Sequence, residues 1–172
     1  MQIIKRNGSA EEYDVEKIHK VVEWATEGIN GVSLSDIEMN AGLCLREKIS
    51  TKEIHQILIK SANDLISESA PNYQYVAARL LNMCLRKDVW GHATTPPQLL
   101  HHIQVNVDNG IYDPAILEKW DEDSIKKMAG FMNHKRDDLY TYAGLQQMMD
   151  KYLVKNRMTG QIYETPQYAY LL

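Results

Sequence analysis

The sequence predicts a mainly α-helical protein: a short N-terminal β-hairpin on four helices, then further helices and a short second hairpin. Three observations carry that expectation. Asn7-Gly8 stands between two strand-like stretches near the start of the chain. Beyond them, apolar residues recur at helical spacing through most of the chain. Helix-opening residues, Asp14, Ser50 and Thr165, stand where periodic runs begin.

Residues 2–5 and 11–14 read as the paired strands, with Arg6-Asn7-Gly8-Ser9 as the turn, because Asn and Gly tolerate the positive φ of a tight hairpin. Asp14 takes the N-cap position of the first helix. Its apolar face is Val15, Ile18, Val22, Ala25 and Ile29, and Gly28 and Gly31 bracket its end. Ser33 or Ser35 can cap a second helix, with Ile37, Ala41 and Leu45 on one face. Ser50-Thr51-Lys52-Glu53 has the form of a capping box, and Ile54, Ile57, Leu58, Ser61 and Leu65 make the stripe behind it. Pro71-Asn72 breaks the chain. Tyr73, Val76, Ala77, Leu80, Met83 and Cys84 then form a fourth apolar face that ends near Trp90.

Gly91-His92-Ala93-Thr94-Thr95-Pro96-Pro97 is the expected boundary, giving one domain at residues 1–90 and a second region at 91–172. Short helices are expected at 99–107, closed by Asn109-Gly110, and at 115–120, 122–132 and 142–151. Leu153-Val154-Lys155 and Ile162-Tyr163, around Thr159-Gly160, read as the second hairpin. Thr165-Pro166 opens a last helix, with a capping hydroxyl and Pro at the first helical position. The apolar residues after it, Tyr168, Tyr170, Leu171 and Leu172, suggest an element cut short. The chain beyond about Tyr163 is therefore expected to be poorly ordered or self-associating.

Composition narrows the function classes. The 172 residues are 44% hydrophobic and 24% charged, enough for a core and unlike a disordered chain. With 19 Lys and Arg against 23 Asp and Glu the net charge is −4, which argues against a non-specific nucleic-acid binder. The two cysteines, Cys44 and Cys84, cannot build a disulfide scaffold; both fall on apolar helix faces and are expected to be packing residues in a reducing compartment. The apolar runs are short and the start lacks the apolar stretch of a signal peptide, so a soluble intracellular protein is expected.

The strongest chemical constellation is Lys5 and Arg6 on the first strand, the stretch 11–17 beyond the turn, and Thr51 with His55 opening the third helix. Phosphates favour helix N-termini, where backbone N–H groups and the helix dipole oppose negative charge. Lys5, Arg6 and Lys17 would add cations, and Ile18, Ile54 and Met83 an apolar wall for a base. No G-x-x-x-x-G-K-[ST] loop exists, and composition alone favours reading the same residues as a solvated cationic face beside an ordinary core. The histidines, His19, His55, His92, His101, His102 and His134, show neither H-E-x-x-H nor a Cys-x-x-Cys companion, so no metal site is expected. His101 and His102, adjacent on a helix, point their rings apart. No catalytic arrangement of Ser, His and Asp can be argued, and the tryptophans and tyrosines read as core and boundary residues.

These motifs are familiar together. Ile3-Ile4-Lys5-Arg6-Asn7-Gly8 and Tyr13-Asp14-Val15-Glu16-Lys17-Ile18 resemble the opening of an ATP-cone, the nucleotide-sensing module of ribonucleotide reductases. Thr51-Lys52-Glu53-Ile54-His55, Ala70-Pro71-Asn72-Tyr73-Gln74-Tyr75-Val76-Ala77-Ala78-Arg79-Leu80 and Leu85-Arg86-Lys87 extend the likeness. So do Lys151-Tyr152-Leu153-Val154-Lys155-Asn156-Arg157 and Thr159-Gly160-Gln161-Ile162-Tyr163-Glu164-Thr165-Pro166-Gln167-Tyr168. The whole chain resembles the N-terminal part of a class Ia ribonucleoside-diphosphate reductase large (α) subunit, of the kind shared by enterobacteria and their large phages.

That resemblance implies a cone at residues 1–90 that takes ATP as activator and dATP as inhibitor, together with magnesium, and so regulates deoxyribonucleotide synthesis. The implied site residues are Lys5, the loop Glu11, Glu12, Tyr13, Asp14, Val15, Glu16 and Lys17, then Thr51 and Lys87, with Arg6, Ile18, Ile54, His55 and Met83 nearby. Lys5, Arg6 and Lys87 would meet phosphates, and Glu11 and Asp14 would accept from the adenine amine or ribose. Met83 stands where an aromatic is often found, which implies weaker stacking. The family's catalytic cysteines, radical tyrosines and specificity site lie further along its chain, so no catalytic residue and no redox cofactor are expected here. The implied partners are the remainder of the large subunit, on a separate chain or lost by truncation, and the small radical-generating subunit. Neither nucleic acid nor membrane is among them. The implied location is the cytoplasm, the host's if phage-encoded. Two other readings stand beside this one. A free-standing nucleotide-sensing regulator would need a zinc ribbon and a basic face that the sequence lacks. A helical interaction module would bind no nucleotide.

Overall fold

The computed structural model describes residues 2–42 and 45–172. The chain forms two compact units. One runs through Cys84 and adds Asp138–Leu145; the other comprises Leu85–Asp137 and Gln146–Leu172.

The first unit begins with strands β1 (Gln2–Ile4) and β2 (Ala10–Glu12), antiparallel, with Ile3 opposite Glu11. The turn is closed by Lys5 N–H to the Ser9 carbonyl at 2.8 Å and by Gly8, whose φ of 83° suits a residue without a Cβ. Asn7 Oδ1 accepts from the Ser9 amide and hydroxyl, an Asx turn that pins the loop. Arg6 lies in the turn, and Lys5, expected as the last residue of the strand, lies just past it.

A third strand, β3 (Ile49–Ser50), pairs parallel to β1, so the sheet runs β2-β1-β3 where a lone hairpin was expected. Helix α1 (Val15–Thr26) starts at Asp14, whose carboxylate accepts from the Glu16 amide at 3.0 Å, and ends before Gly28 at φ 70°. Arg79 donates to the Glu27 and Ala25 carbonyls at the C-terminus of α1, where backbone acceptors are left over. Helix α2 (Leu34–Gly42) is opened by Ser33, which accepts from the Asp36 amide at 3.2 Å; Ile37 and Ala41 face the core. Leu45, expected on the same face, lies beyond this helix, and the expectation for Cys44 falls outside the described residues.

Helix α3 (Thr51–Asp64) carries the full capping box: Ser50 Oγ accepts from the Glu53 amide, and Glu53 accepts from the Ser50 amide. Those bonds and Arg46 at 2.8 Å hold the Glu53 carboxyl at about 2, well below the usual range. Ser50→Ala should cost about 1 kcal/mol of stability. Urea unfolding of the first unit would measure it, and an unchanged midpoint would contradict the box as the device that starts this helix. Helix α4 (Tyr73–Trp90) buries Tyr73, Val76, Ala77 and Leu80, which with Val22, Ile37, Ile54 and Leu58 form this unit's core. Cys84 is buried on α4, as expected of a packing residue.

The second unit is built on α5 (Leu99–Asp108), α6 (Ala115–Lys119) and α7 (Glu122–Ala129), with a core of Leu99, Ile103, Tyr112, Ile125 and Tyr168. Asp121 caps α7 through the Ser124 amide at 2.8 Å. That helix stops at Ala129, three residues short of the apolar pattern, with Gly130 as its C-cap residue. A 3₁₀ turn follows (His134–Leu139), and α8 (Tyr142–Gln147) passes into a π turn (Met148–Tyr152) where one helix was expected. The second hairpin reduces to a single antiparallel bridge between Lys155 and Ile162.

Helix α9 (Pro166–Ala169) begins at Thr165 with Pro at its first position, but the buried Thr165 hydroxyl makes no cap bond. Its segment is not a frayed end. Glu164, Thr165, Gln167 and Tyr168 are all buried, so the expected loss of order beyond Tyr163 is not met. Exposed apolar surface remains at Tyr152, Val154, Tyr170 and Leu172. Among the described residues, no helix is long and apolar enough to cross a membrane.

Candidate functional site

The first unit concentrates the sequence-derived site residues around one loop. Glu11, on β2, is held between two cations: one carboxylate oxygen pairs with Lys5 Nζ and the other accepts from Lys17 Nζ. Lys5 reaches it from the turn and Lys17 from the first turn of α1, so the hairpin and the Asp14 cap set this arrangement together. The two lysines lower the Glu11 carboxyl to about 2, and Glu11 in turn raises the Lys17 ammonium. Arg6 points from the same turn toward α4, its guanidinium donating to Sγ of Cys84, the residue after Met83, at 3.6 Å.

Past Glu11 the loop 11–16 lines an open concavity, and Tyr13 and Val15 also enter a second, more enclosed cavity of about 110 Å³. That cavity joins the loop to α1, α2 and α3 through Ile18, Ala41, Ile54 and Leu58, and its single acidic residue is Glu38. Burial, with Glu38 near, raises the Tyr13 phenol. The Glu38 carboxylate itself pairs with His19 Nδ1 at 2.9 Å. Thr51 is the first residue of α3 and directly follows β3, whose Ser50 is opposite Ile4 on β1. The N-terminus of α3 thus stands next to the end of β1, where Lys5 begins the turn.

Ile18 and Ile54 therefore do share an apolar wall, as the sequence suggested, whereas Met83 is half-buried on α4 and does not line that cavity. His55 is buried one turn into α3. Glu12 and Glu16 are exposed, on β2 and in the first turn of α1. Lys87 is half-buried near the end of α4 and belongs to the second unit. Sequence reasoning missed Glu38, Tyr13's place in the cavity wall, and the double pairing of Glu11. A carboxylate on an amphipathic helix carries no motif, and only the assembled fold brings Lys5 and Lys17 to the same side chain.

The second unit holds a separate buried polar cluster. Tyr112 donates to Glu164 Oε2 at 2.5 Å, His102 Nε2 lies 3.1 Å from the Tyr112 hydroxyl, and Glu164 Oε1 accepts from the Val154 amide. The His102 ring stacks on Tyr168 at 4.1 Å, while neighbouring His101 is exposed, so the two rings do part company. Its members hydrogen-bond one another beside the unit's core, and His102 and Asn106 also line a cavity of about 390 Å³.

Comparison with known proteins agrees with the architecture. The ATP-cone domain family, described as "ATP cone domain", matches residues 1–88. The chain is 45% identical over 170 residues to ribonucleoside-diphosphate reductase 1 subunit alpha of Salmonella typhimurium, covering 99% of this chain and 22% of that protein. It is 44% identical over 170 residues to the Escherichia coli protein of the same name, with the same coverage. It is 42% identical over 171 residues to the subunit alpha of Enterobacteria phage T4, again 99% of this chain and 22% of the relative. The region matched in these relatives is N-terminal, and the chain spans about a fifth of their length. By a match that takes in half of its residues, on a helical unit with a small N-terminal sheet, this chain belongs to the ATP-cone family.

Proposed function

We propose that this chain is the nucleotide-sensing N-terminal portion of a ribonucleoside-diphosphate reductase large subunit. It binds ATP as activator and dATP as inhibitor, with magnesium on the phosphates, and carries no part of the reduction itself. The observation that supports the reading best is the conjunction at loop 11–17: two lysines and the N-terminus of α3 at one end of the sheet, and an apolar cavity at the other side of the same loop. Cations and a helix N-terminus suit a triphosphate. The walls given by Ile18 and Ile54 suit the flat face of a base.

In this reading Lys5, Arg6 and Lys87 meet phosphates, Thr51 presents the start of α3, and Glu11 and Asp14 accept from the adenine amine or ribose. The loop residues Glu12, Tyr13, Val15, Glu16 and Lys17 frame the ligand, and His55 and Met83 border it. The cone occupies residues 1–90, and residues 91–172 begin the helical region of the large subunit. The partners are the remainder of that subunit and the small radical-generating subunit, in the cytoplasm. Ligand in the cone would act by favouring one assembly of the subunits over another, which requires different affinities in the two.

A thermal-shift titration tests the binding step. A ligand at a hundredfold its Kd adds about 2.7 kcal/mol. That corresponds to a rise of roughly 5–10 °C in the melting of a chain this size. dATP should produce it, and Lys5→Ala or Lys87→Ala should diminish it by removing a charge-assisted bond. No shift with either ATP or dATP would contradict the proposal.

A further inference from the structure

We infer that Glu11 is an internal stand-in for phosphate: without ligand its carboxylate occupies the two lysines, and a nucleotide must exchange with it to bind. The inference rests on the nucleotide-binding reading above and adds how that site is gated.

The Glu11 carboxylate is paired on both oxygens. Each of its two oxygens already holds a cation, Lys5 on one and Lys17 on the other. A carboxylate so engaged is poorly placed to accept from a base amine or a ribose hydroxyl. Lysines so engaged present little net charge to an incoming phosphate, since the three groups sum to a single positive charge. In the reading above Lys5 meets a phosphate while Glu11 meets the base amine or ribose. One nucleotide holds those groups apart, so engaging both parts Lys5 from Glu11.

The exchange is physically easy. Glu11 is only partly covered and both lysine side chains are largely exposed, at 28%, 47% and 62%. Exposed ion pairs are weak and quickly broken, so they hold a resting state without locking it. Lysine is a point charge on a flexible stem, able to swing from carboxylate to phosphate without moving the backbone. The other charged groups on these elements leave this balance in place. Asp14 caps α1, Glu12 and Glu16 are exposed, and Arg6 is directed to Cys84.

The device also confers selectivity. An inorganic polyphosphate can take the lysines but offers nothing to the displaced carboxylate, which is left beside a polyanion. A nucleotide takes the lysines and gives Glu11 a donor. The carboxylate therefore penalises bare polyphosphate and spares the complete nucleotide.

The test compares tripolyphosphate and ATP, each without added metal, on the full chain and on Glu11→Gln, by isothermal titration calorimetry. Gln keeps the shape and an acceptor oxygen but loses the charge. Removing one negative charge a few ångströms from a polyanion should tighten tripolyphosphate about tenfold after screening. ATP should change by less than about threefold, because it exchanges a charged acceptor for a weaker neutral one as it gains from the lower repulsion. Equal gains for both ligands would reduce Glu11 to a general repulsive charge and overturn the exchange. No gain for tripolyphosphate, with ATP still bound, would overturn it while leaving the nucleotide site standing. Absence of ATP binding to the unaltered chain would overturn both. A second readout needs no variant: the scalar coupling across the hydrogen bond from lysine Nζ to the Glu11 carboxyl carbon, observed at low temperature, should be present in the free protein and vanish on addition of ATP. Its persistence in the complex would contradict the exchange.

Discussion

Tyr168→Ala is expected to destabilise the second unit by about 3–5 kcal/mol, the range for truncating a buried aromatic. The ring is fully buried at the centre of the Leu99, Ile103, Tyr112 and Ile125 cluster. It stacks flat on His102 at 4.1 Å and meets Trp90 and His134 edge-on at 6.1 and 5.2 Å. Its hydroxyl donates to the Pro97 carbonyl at 2.5 Å. The rings of His102, Trp90 and His134 and the side chains of Leu99, Ile103 and Ile125 surround it, so truncation leaves a cavity that they do not fill without repacking. Tyr168→Phe separates packing from hydrogen bonding and should cost only about 1 kcal/mol. Amide hydrogen exchange at Ile103 and Ile125 would report both variants. A loss below about 1 kcal/mol for the alanine variant would mean that the segment after Thr165 is not part of this core.

Acid should unfold the second unit earlier than its carboxylates alone would require. Burial, reinforced by His101 and His134, lowers the His102 imidazolium from 6.5 to about 4. Burial, reinforced by Arg86, lowers His134 likewise to about 4. In the unfolded chain both rings take up protons near 6.5, so between about pH 6.5 and 4 the unfolded state binds more protons than the folded one. Stability conferred by the neutral rings is complete above 6.5 and is lost as pH falls toward 4. Partial exposure of His134 and the mutual repulsion of the two rings reduce the effect to about 1–3 kcal/mol in all. Urea midpoints measured between about pH 7 and 4.5 should fall, and His102→Gln with His134→Gln should flatten that fall. A pH-independent midpoint in the unaltered chain over this range would contradict the burial of these rings.

Local chemistry is readable from the sequence and long-range pairing is not. Asp14 and the Ser50–Glu53 box announce helix starts because each bond spans two or three residues, within reach of a sequence pattern. The Asn7-Gly8 turn is legible for the same reason. Strand β3 is not, because Ile49 and Ser50 become a strand only through β1, a partner more than forty residues away. The apolar pattern overstates the length of α7, since the spacing continues through Met132 while Gly130 ends the helix. At Thr165 the sequence offers a capping hydroxyl, but that hydroxyl is buried and makes no cap bond.

The candidate site divides along the same line. The cations and the apolar wall can be named from residue type and periodicity, and the cavity does join Ile18 to Ile54. That Lys5 and Lys17 converge on Glu11 depends on hairpin register and helix entry together, and no spacing rule encodes it. Helical phase alone groups Met83 with the wall. Phase fixes which side of α4 a residue occupies but not which cavity that side meets.

Whether the loop 11–17 and the start of α3 form a nucleotide site is decided by the residue-resolved amide chemical shifts of the full chain, titrated with dATP. Saturable shifts are expected at Lys5, Arg6, residues 11–18 and Thr51 to His55, all reduced together by Lys5→Ala at the same sub-saturating dATP concentration. Shifts confined to residues 99–172, or none at saturating dATP, would refute the site.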